Sequence, residues 1–245
     1  LTFFDPDGEA VEITGADSPA VVYQIAPGGH FLLRQSASSI WPRQVYAVIE
    51  SDDPMPSGGG ILSLWNETLL VSQTMIPLRA TTHYAWVPVD TLPSLIRHGK
   101  SRQTFSIANP TRSPATLRFT LFNSVGAEQG RFEQVLPRYR EQEFSLADMF
   151  NVQEFQGVIR LWSDAEISLN ASRVTESLRR EPVLSHIGYT TQEAVAGKRQ
   201  LVIPGIYNGA GLATEIIFVN PEETSLDATW RFYSPEGEAK EITLR

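Results

Sequence analysis

The chain has 245 residues, 42% hydrophobic and 20% charged, which is ample for a core and comfortable for two domains of roughly 100–120 residues each. Its net charge of −8 and pI of about 5.1 argue against non-specific binding to nucleic acid or to an anionic membrane, which needs a basic patch. The absence of cysteine excludes disulfides, thiolate nucleophiles and Cys-ligated zinc, and no apolar run approaches the ~18 residues of a membrane helix.

Short strands are predicted along the whole chain. Leu1 opens directly into strand-like sequence without an initiator Met or signal peptide, so the chain reads as a processed form or a slice of something longer. Runs rich in β-branched and aromatic residues lie at Leu1–Phe4, Val21–Ile25, Phe31–Leu33 and Val45–Glu50. Turn chemistry separates them at Asp5-Pro6-Asp7-Gly8, Pro27-Gly28-Gly29 and Asp52-Asp53-Pro54. Pro56-Ser57-Gly58-Gly59-Gly60 reads as a hairpin tip or extended loop. Further strands are predicted at Ile61–Trp65, Leu69–Pro77, Ala85–Val89, Gln103–Ala108, Thr116–Phe122, Phe132–Leu136, Phe155–Trp162 and Ile167–Val174. The last group is Leu201–Ile206, Glu215–Val219, Ala228–Tyr233 and Glu241–Leu244. Helix is expected only at Ser145–Phe150, where Ser145 and Asp148 form a capping-box-like pair. Strands every 8–12 residues with so little helix predict an all-β chain of antiparallel sandwiches.

One stretch occurs three times: TFFDPDG at Thr2–Gly8, TLFNSVG at Thr120–Gly126 and RFYSPEG at Arg231–Gly237. The second and third copies align without a gap from Thr104 to Gly126. Asn109-Pro110 falls on Asn220-Pro221, 111 residues on, and Ile107 falls on Phe218. The first copy precedes the second by 118 residues, and Glu67-Thr68-Leu69 resembles Glu176-Ser177-Leu178. The period is domain-sized, far above that of a solenoid repeat. IANPTRSPATLRFTLFNSVG and FVNPEETSLDATWRFYSPEG resemble the "NP…F-x-D-x-x-G" modules of large exported bacterial tandem-repeat proteins, mostly of unassigned function. That resemblance implies two tandem Ig-like sandwiches, residues 1–84 and 85–200, with residues 201–245 starting a third repeat. It also implies an extracellular or cell-surface location.

The first copy lacks the Asn-Pro strand, so the repeat is out of phase with the chain. A sandwich without its opening strand leaves an unpaired edge. The missing strand is expected from the C-terminal segment, docking in cis or adding to a neighbouring molecule, or from a neighbouring module of a longer array of which this chain is an excerpt. The candidate assembly residues are Glu215, Ile216, Ile217, Phe218, Val219, Trp230 and Phe232.

Chemistry-bearing motifs are sparse. Asp5-Pro6-Asp7-Gly8 resembles a calcium-loop fragment, but in the other copies the Gly persists while the carboxylates do not, which favours a turn. Asp52-Asp53 and Asp164 with Glu166 read as turn residues rather than a catalytic pair. His30, His83, His98 and His186 show no metal-ligand spacing, and adjacent Ser185 and His186 would face opposite sides of a strand. No catalytic residue, metal or cofactor is expected. Trp41, Trp65 and Trp86 are the candidates for a glycan-stacking platform, packing being the usual fate of such rings. The expectation is a non-enzymatic extracellular structural or adhesive repeat protein, associating with itself or with neighbouring repeats as a filament subunit. The alternative is a carbohydrate-binding accessory module.

Overall fold

The structure is a computed structural model. It describes residues 1–12, 18, 20–33, 44–51, 55, 57–66, 68–92, 100–177, 180–191, 208–209, 212–213, 216–222, 224–226, 231–233 and 238–240. Of these residues 54% are strand and 3% helix, and every ladder is antiparallel, so the chain is all-β.

In chain order the elements are β1 (Thr2–Phe4), β2 (Tyr46–Val48), β3 (Gly59–Asn66), β4 (Leu69–Pro77), β5 (Thr82–Asp90), β6 (Ser101–Ala108), β7 (Ala115–Asn123), β8 (Glu128–Leu136) and β9 (Glu141–Ser145). They continue with α1 (Leu146–Phe150), β10 (Gln156–Glu176), β11 (Pro182–Ile187), β12 (Asn208–Gly209), β13 (Leu212–Ala213), β14 (Phe232–Tyr233) and β15 (Ala239–Lys240).

The core belongs to β5–β11. One sheet runs β8-β7-β10-β5 and a second runs β9-β6-β10-β11, so the long strand β10 serves both. Its first half, through Ser163, ladders with β5 and β7, and its second half ladders with β6 and β11. Between Trp162 and Ile167 the ladder to β5 slips, which is the bend at which a strand changes sheet. Ile159, Leu161, Ile167, Leu169 and Ala171 keep one inward face on both sides of that bend. They pack with Phe105, Ile107, Leu117, Phe119 and Leu121, all at 1% exposure or less except Leu169 at 5%. Phe119, Phe132 and Phe144 close the core with ring centroids 5.4–6.2 Å apart.

Phe155–Trp162 and Ile167–Val174 were expected as separate strands but are one. Ser163–Glu166 carries turn-type residues, yet tertiary bonds satisfy its polar groups. Asp164 accepts from the Thr116 N–H at 2.6 Å, Glu166 from the Thr81 hydroxyl at 2.8 Å, and the Ser163 carbonyl meets His83 Nδ1 at 3.2 Å. Gly59 and Gly60, expected in a loop, ladder with Pro77 and Ile76. Conversely, Val21–Ile25 and Phe31–Leu33 carry no strand: Val21 and Leu33 lie against the small Phe3–Val11 cluster, while Val22, Ile25, Phe31 and Leu32 are exposed. The expected domain boundary between residues 84 and 85 falls inside β5. Helix α1 forms as expected, with the Ser145 hydroxyl capping the Asp148 N–H at 3.2 Å and Asn151 closing it at φ 55°.

Candidate functional site

The recurring stretch is one hydrogen-bonded device. In the first copy Asp5 Oδ1 accepts from the N–H groups of Asp7 and Glu9, both at 3.0 Å. In the second, Asn123 Oδ1 accepts from Val125 at 3.1 Å and Ala127 at 2.9 Å, positions 118 residues on. Gly8 and Gly126 donate to the carbonyls of Asp5 and Asn123, each at 3.0 Å. Their φ values of 84° and 80° are the left-handed conformation that favours glycine. An Asx-type turn needs only one side-chain oxygen at its first position, so Asp and Asn are interchangeable there. The pair that closes the turn also recurs: Phe4 faces Ala10, Phe122 faces Glu128 and Tyr233 faces Ala239.

The Asn-Pro loop repeats likewise. Asn109 Oδ1 accepts from the Thr111 N–H at 3.0 Å, and its amide donates to the Ser113 carbonyl at 2.8 Å. Asn220 does the same with Glu222 at 3.1 Å and Thr224 at 2.8 Å. The two differ in setting. Asn109 is fully buried, and its amide also reaches the carbonyls of Leu136 at 3.2 Å and Pro137 at 3.1 Å. Asn220 is exposed.

The first turn is docked on the β8–β9 loop. The Pro6 carbonyl accepts from the Glu141 N–H at 3.1 Å, and Asp7 pairs with Arg140 at 2.6 Å. Phe4 stacks on Tyr46 and Tyr139 at 5.2 and 6.1 Å, and the Tyr46 hydroxyl donates to the Tyr139 carbonyl at 2.6 Å. Burial first, then the charges of Glu141, Tyr139 and Asp5, push the Tyr46 phenol up to about 12. Tyr139 itself sits at φ 58°. A methyl added to Gly8 would lie 2.5 Å from the Tyr139 carbonyl oxygen, so this glycine serves both its own φ and the close approach.

A second contact protects the β11 edge. The Ser72 hydroxyl accepts from the Leu184 N–H at 2.9 Å, and the Thr74 hydroxyl accepts from the His186 N–H at 2.9 Å. Two side chains on β4 thus occupy the outward-facing donors of β11, two residues apart on each strand. The imidazole Nδ1 of His186 lies 3.0 Å from Asn170 Oδ1. Burial, with a smaller push from Arg79, holds this imidazole below the usual histidine value.

The opposite edge of that hairpin differs. Among the described residues β3 ladders with β4 alone. The hairpin exposes Ile61 at 70%, Leu62 at 47%, Trp65 at 52%, Leu69 at 62% and Met75 at 57%. In the second copy the corresponding stretch of β10, Ser168–Ala171, is laddered with β6, and Leu169 and Ala171 are buried in the core.

The predicted site residues fall unevenly. Trp41, Glu215 and Trp230 lie outside the described residues. Trp86 is not available as a glycan platform: it is 9% exposed, with Tyr84, Phe122 and the Arg160 guanidinium around its ring at 5.9, 5.7 and 5.6 Å. Its strand is enclosed because Trp86 pairs with β10 on one side and with Thr190 on the other. Trp65 is the described tryptophan with an open face. Ile216–Val219, expected in a strand, lie outside any strand, whereas the matching β6 is held between β10 and β9. Phe232 lies in the β14–β15 hairpin opposite Lys240.

No three His, Asp or Glu side chains among the described residues are grouped to hold a metal. The Ser185 hydroxyl reaches the Arg173 carbonyl at 3.4 Å while His186 turns to Asn170, so the two adjacent residues do not pair. An open groove of about 670 Å³ between β6 and α1 carries mixed charge from Lys100, Arg102, Asp148 and Glu176. The docked turn and the β4–β11 edge were not legible from motifs; the signal for the first was the 118-residue spacing itself.

No protein-family model and no curated protein matches the chain. Among solved structures, the crystal structure of Thermotoga maritima 1070 is similar at a TM-score of 0.36 and 14% identity, over 43% of this chain and 92% of that one. The Anabaena sensory rhodopsin transducer is similar at 0.30 and 15%, over 38% and 86%. Both likenesses are too slight to bear on function.

Proposed function

We propose that this chain is a non-enzymatic structural or adhesive repeat protein of the cell exterior, which associates with itself through strand edges. The observation that carries the reading is the β3–β4 hairpin, with an apolar surface at Ile61, Leu62, Trp65, Leu69 and Met75 and a β3 edge laddered on one side among the described residues. Exposed apolar side chains on both faces of a hairpin suit an interaction site, and an open edge is a template for strand addition. The recurrence of the turn, its closing pair and the Asn loop supports a chain built by repetition of one structural unit.

A net charge of −8 disfavours nucleic acid as the partner. Sedimentation velocity across a hundredfold concentration range tests the reading, compared with Ile61→Lys, which places a charge on the edge. Concentration-dependent growth that the lysine abolishes supports it; a single species unaffected by the substitution contradicts it. Trp65 favours a second reading, a carbohydrate-binding module with that ring as its stacking face. Binding on a glycan array that is lost in Trp65→Ala would replace the first reading.

A further inference from the structure

We propose that Ile216–Val219 of one molecule adds as an antiparallel strand to the open edge of β3 in a second molecule, in a register the chain already uses internally. Val219 lies opposite Gly59, Phe218 opposite Gly60, Ile217 opposite Ile61 and Ile216 opposite Leu62. This inference rests on the self-association reading and specifies its contact.

Two equivalences fix the register. Asn220 repeats the hydrogen bonds of Asn109, which places Ile216–Val219 on Phe105–Ala108 of β6. Glu67-Thr68-Leu69 matches Glu176-Ser177-Leu178, which places Gly59–Leu62 on Ser168–Ala171 of β10. Both are first strands of antiparallel hairpins, β3–β4 and β10–β11. In the second copy β6 ladders on this part of β10, with Ser168 opposite Ala108, Leu169 opposite Ile107, Asn170 opposite Ser106 and Ala171 opposite Phe105. Transferring those four pairs gives the proposed four.

The side chains suit the transfer. In β6 and β10 the inward pairs are Ile107 with Leu169 and Phe105 with Ala171, an aromatic ring over a small residue. In the proposed interface they become Phe218 with Gly60 and Ile216 with Leu62. A Cβ on Gly60 would meet nothing within 4 Å, so the Phe218 ring has space above the strand. The second copy, rather than the same chain, is the occupant because Ile61 at 70%, Leu62 at 47% and Ile217 at 41% are exposed within one chain. An edge on one surface filled by a segment from another is a heterologous contact, which builds a ring or an open chain of subunits.

The native chain has no cysteine, so every thiol can be placed by design. The test mixes full-length Leu62→Cys with full-length Ile216→Cys under mild oxidation, and separately Ile61→Cys with Ile217→Cys. The slipped mixture of Ile61→Cys with Ile216→Cys serves as the collision control, since a one-residue slip puts the thiols on opposite faces. Circular dichroism checks that each single variant is folded. The in-register mixtures are expected to give a reducible mixed dimer roughly tenfold faster than the slipped mixture. The corresponding double variants are expected to give a ladder of oligomers. Faster cross-linking of the slipped pair overturns the register. A monomeric intramolecular disulfide in the double variants overturns the second-copy occupant. Absence of cross-linking in both in-register mixtures, while the wild-type protein still associates, overturns this contact but leaves the self-association reading standing. A wild type that sediments as a monomer at every concentration removes both.

Discussion

Asn109 and Asn220 offer a matched pair for measuring what burial adds to a repeated turn. Asn109→Asp keeps the oxygen that accepts from Thr111 but replaces the amide that serves the carbonyls of Ser113, Leu136 and Pro137. At about 1–3 kcal/mol for each buried group left unsatisfied, losing both N–H donors costs about 3 kcal/mol or more. That corresponds to a drop in Tm of roughly 6–12 °C for a domain of this size. Asn220→Asp removes the donor to Thr224 at an exposed position, so its cost is expected to stay within about 1 kcal/mol. The sign of the pH dependence is a further check. An Asp at position 109, buried among carbonyls, has its folded pKa raised, so the folded state binds the extra proton and stability falls as pH rises. The deficit of Asn109→Asp is therefore smaller at pH 4 than at pH 7. Differential scanning calorimetry of both variants at the two pH values measures it. Equal losses for the two asparagines, or a deficit at 109 that shrinks as pH rises, would refute the reasoning.

The docked turn and the protected edge yield further expectations. Gly126→Ala meets open space and suffers only the strain of its φ, about 1–2 kcal/mol, whereas Gly8→Ala also collides with the Tyr139 carbonyl. Amide exchange at Glu141, whose N–H donates to Pro6, should accelerate in Gly8→Ala and not in Gly126→Ala. Replacing Ser72 by Ala and Thr74 by Val removes both acceptors on the β11 edge, so the Leu184 and His186 amides should exchange faster, with about 1 kcal/mol lost per bond. Tyr46 titrates near 12 in the fold against 10 when free, so its contribution to docking is full below pH 10 and is lost as pH rises toward 12. Tyr46→Phe should flatten that loss in an alkaline unfolding series read by far-ultraviolet dichroism. The depressed His186 works the other way: stability should fall as pH drops through about 6.5, and His186→Gln should remove that slope.

Local chemistry was legible in the sequence wherever a few adjacent residues determine it. Ser145 and Asp148 announce a helix start, Asp5 and Asn123 with glycines three residues on announce one turn twice, and strands β4, β6 and β7 follow from apolar alternation. What long-range partners decide was not legible. Ser163–Glu166 reads as a turn until Thr116 and Thr81 supply partners that let β10 continue through it. Val21–Ile25 has the composition of a strand but no ladder to join, while the polar Glu141–Ser145 becomes a strand because β6 accepts it. Trp86 looked as available as Trp65 because enclosure by Thr190 and Phe122 depends on strands distant in sequence. For the proposed site, the repeat pointed to Glu215–Val219 and to a first copy without the Asn-Pro strand. The exposure of β3 and the hydroxyl-protected edge of β11 emerge only from the packed structure.

The central claim is that this chain associates through the β3 edge, and sedimentation velocity of the wild-type protein beside Ile61→Lys tests it most directly. The account predicts a distribution that shifts to larger species as concentration rises and that collapses to monomer when the lysine is present. A single monomeric boundary for the wild type at every concentration would contradict it.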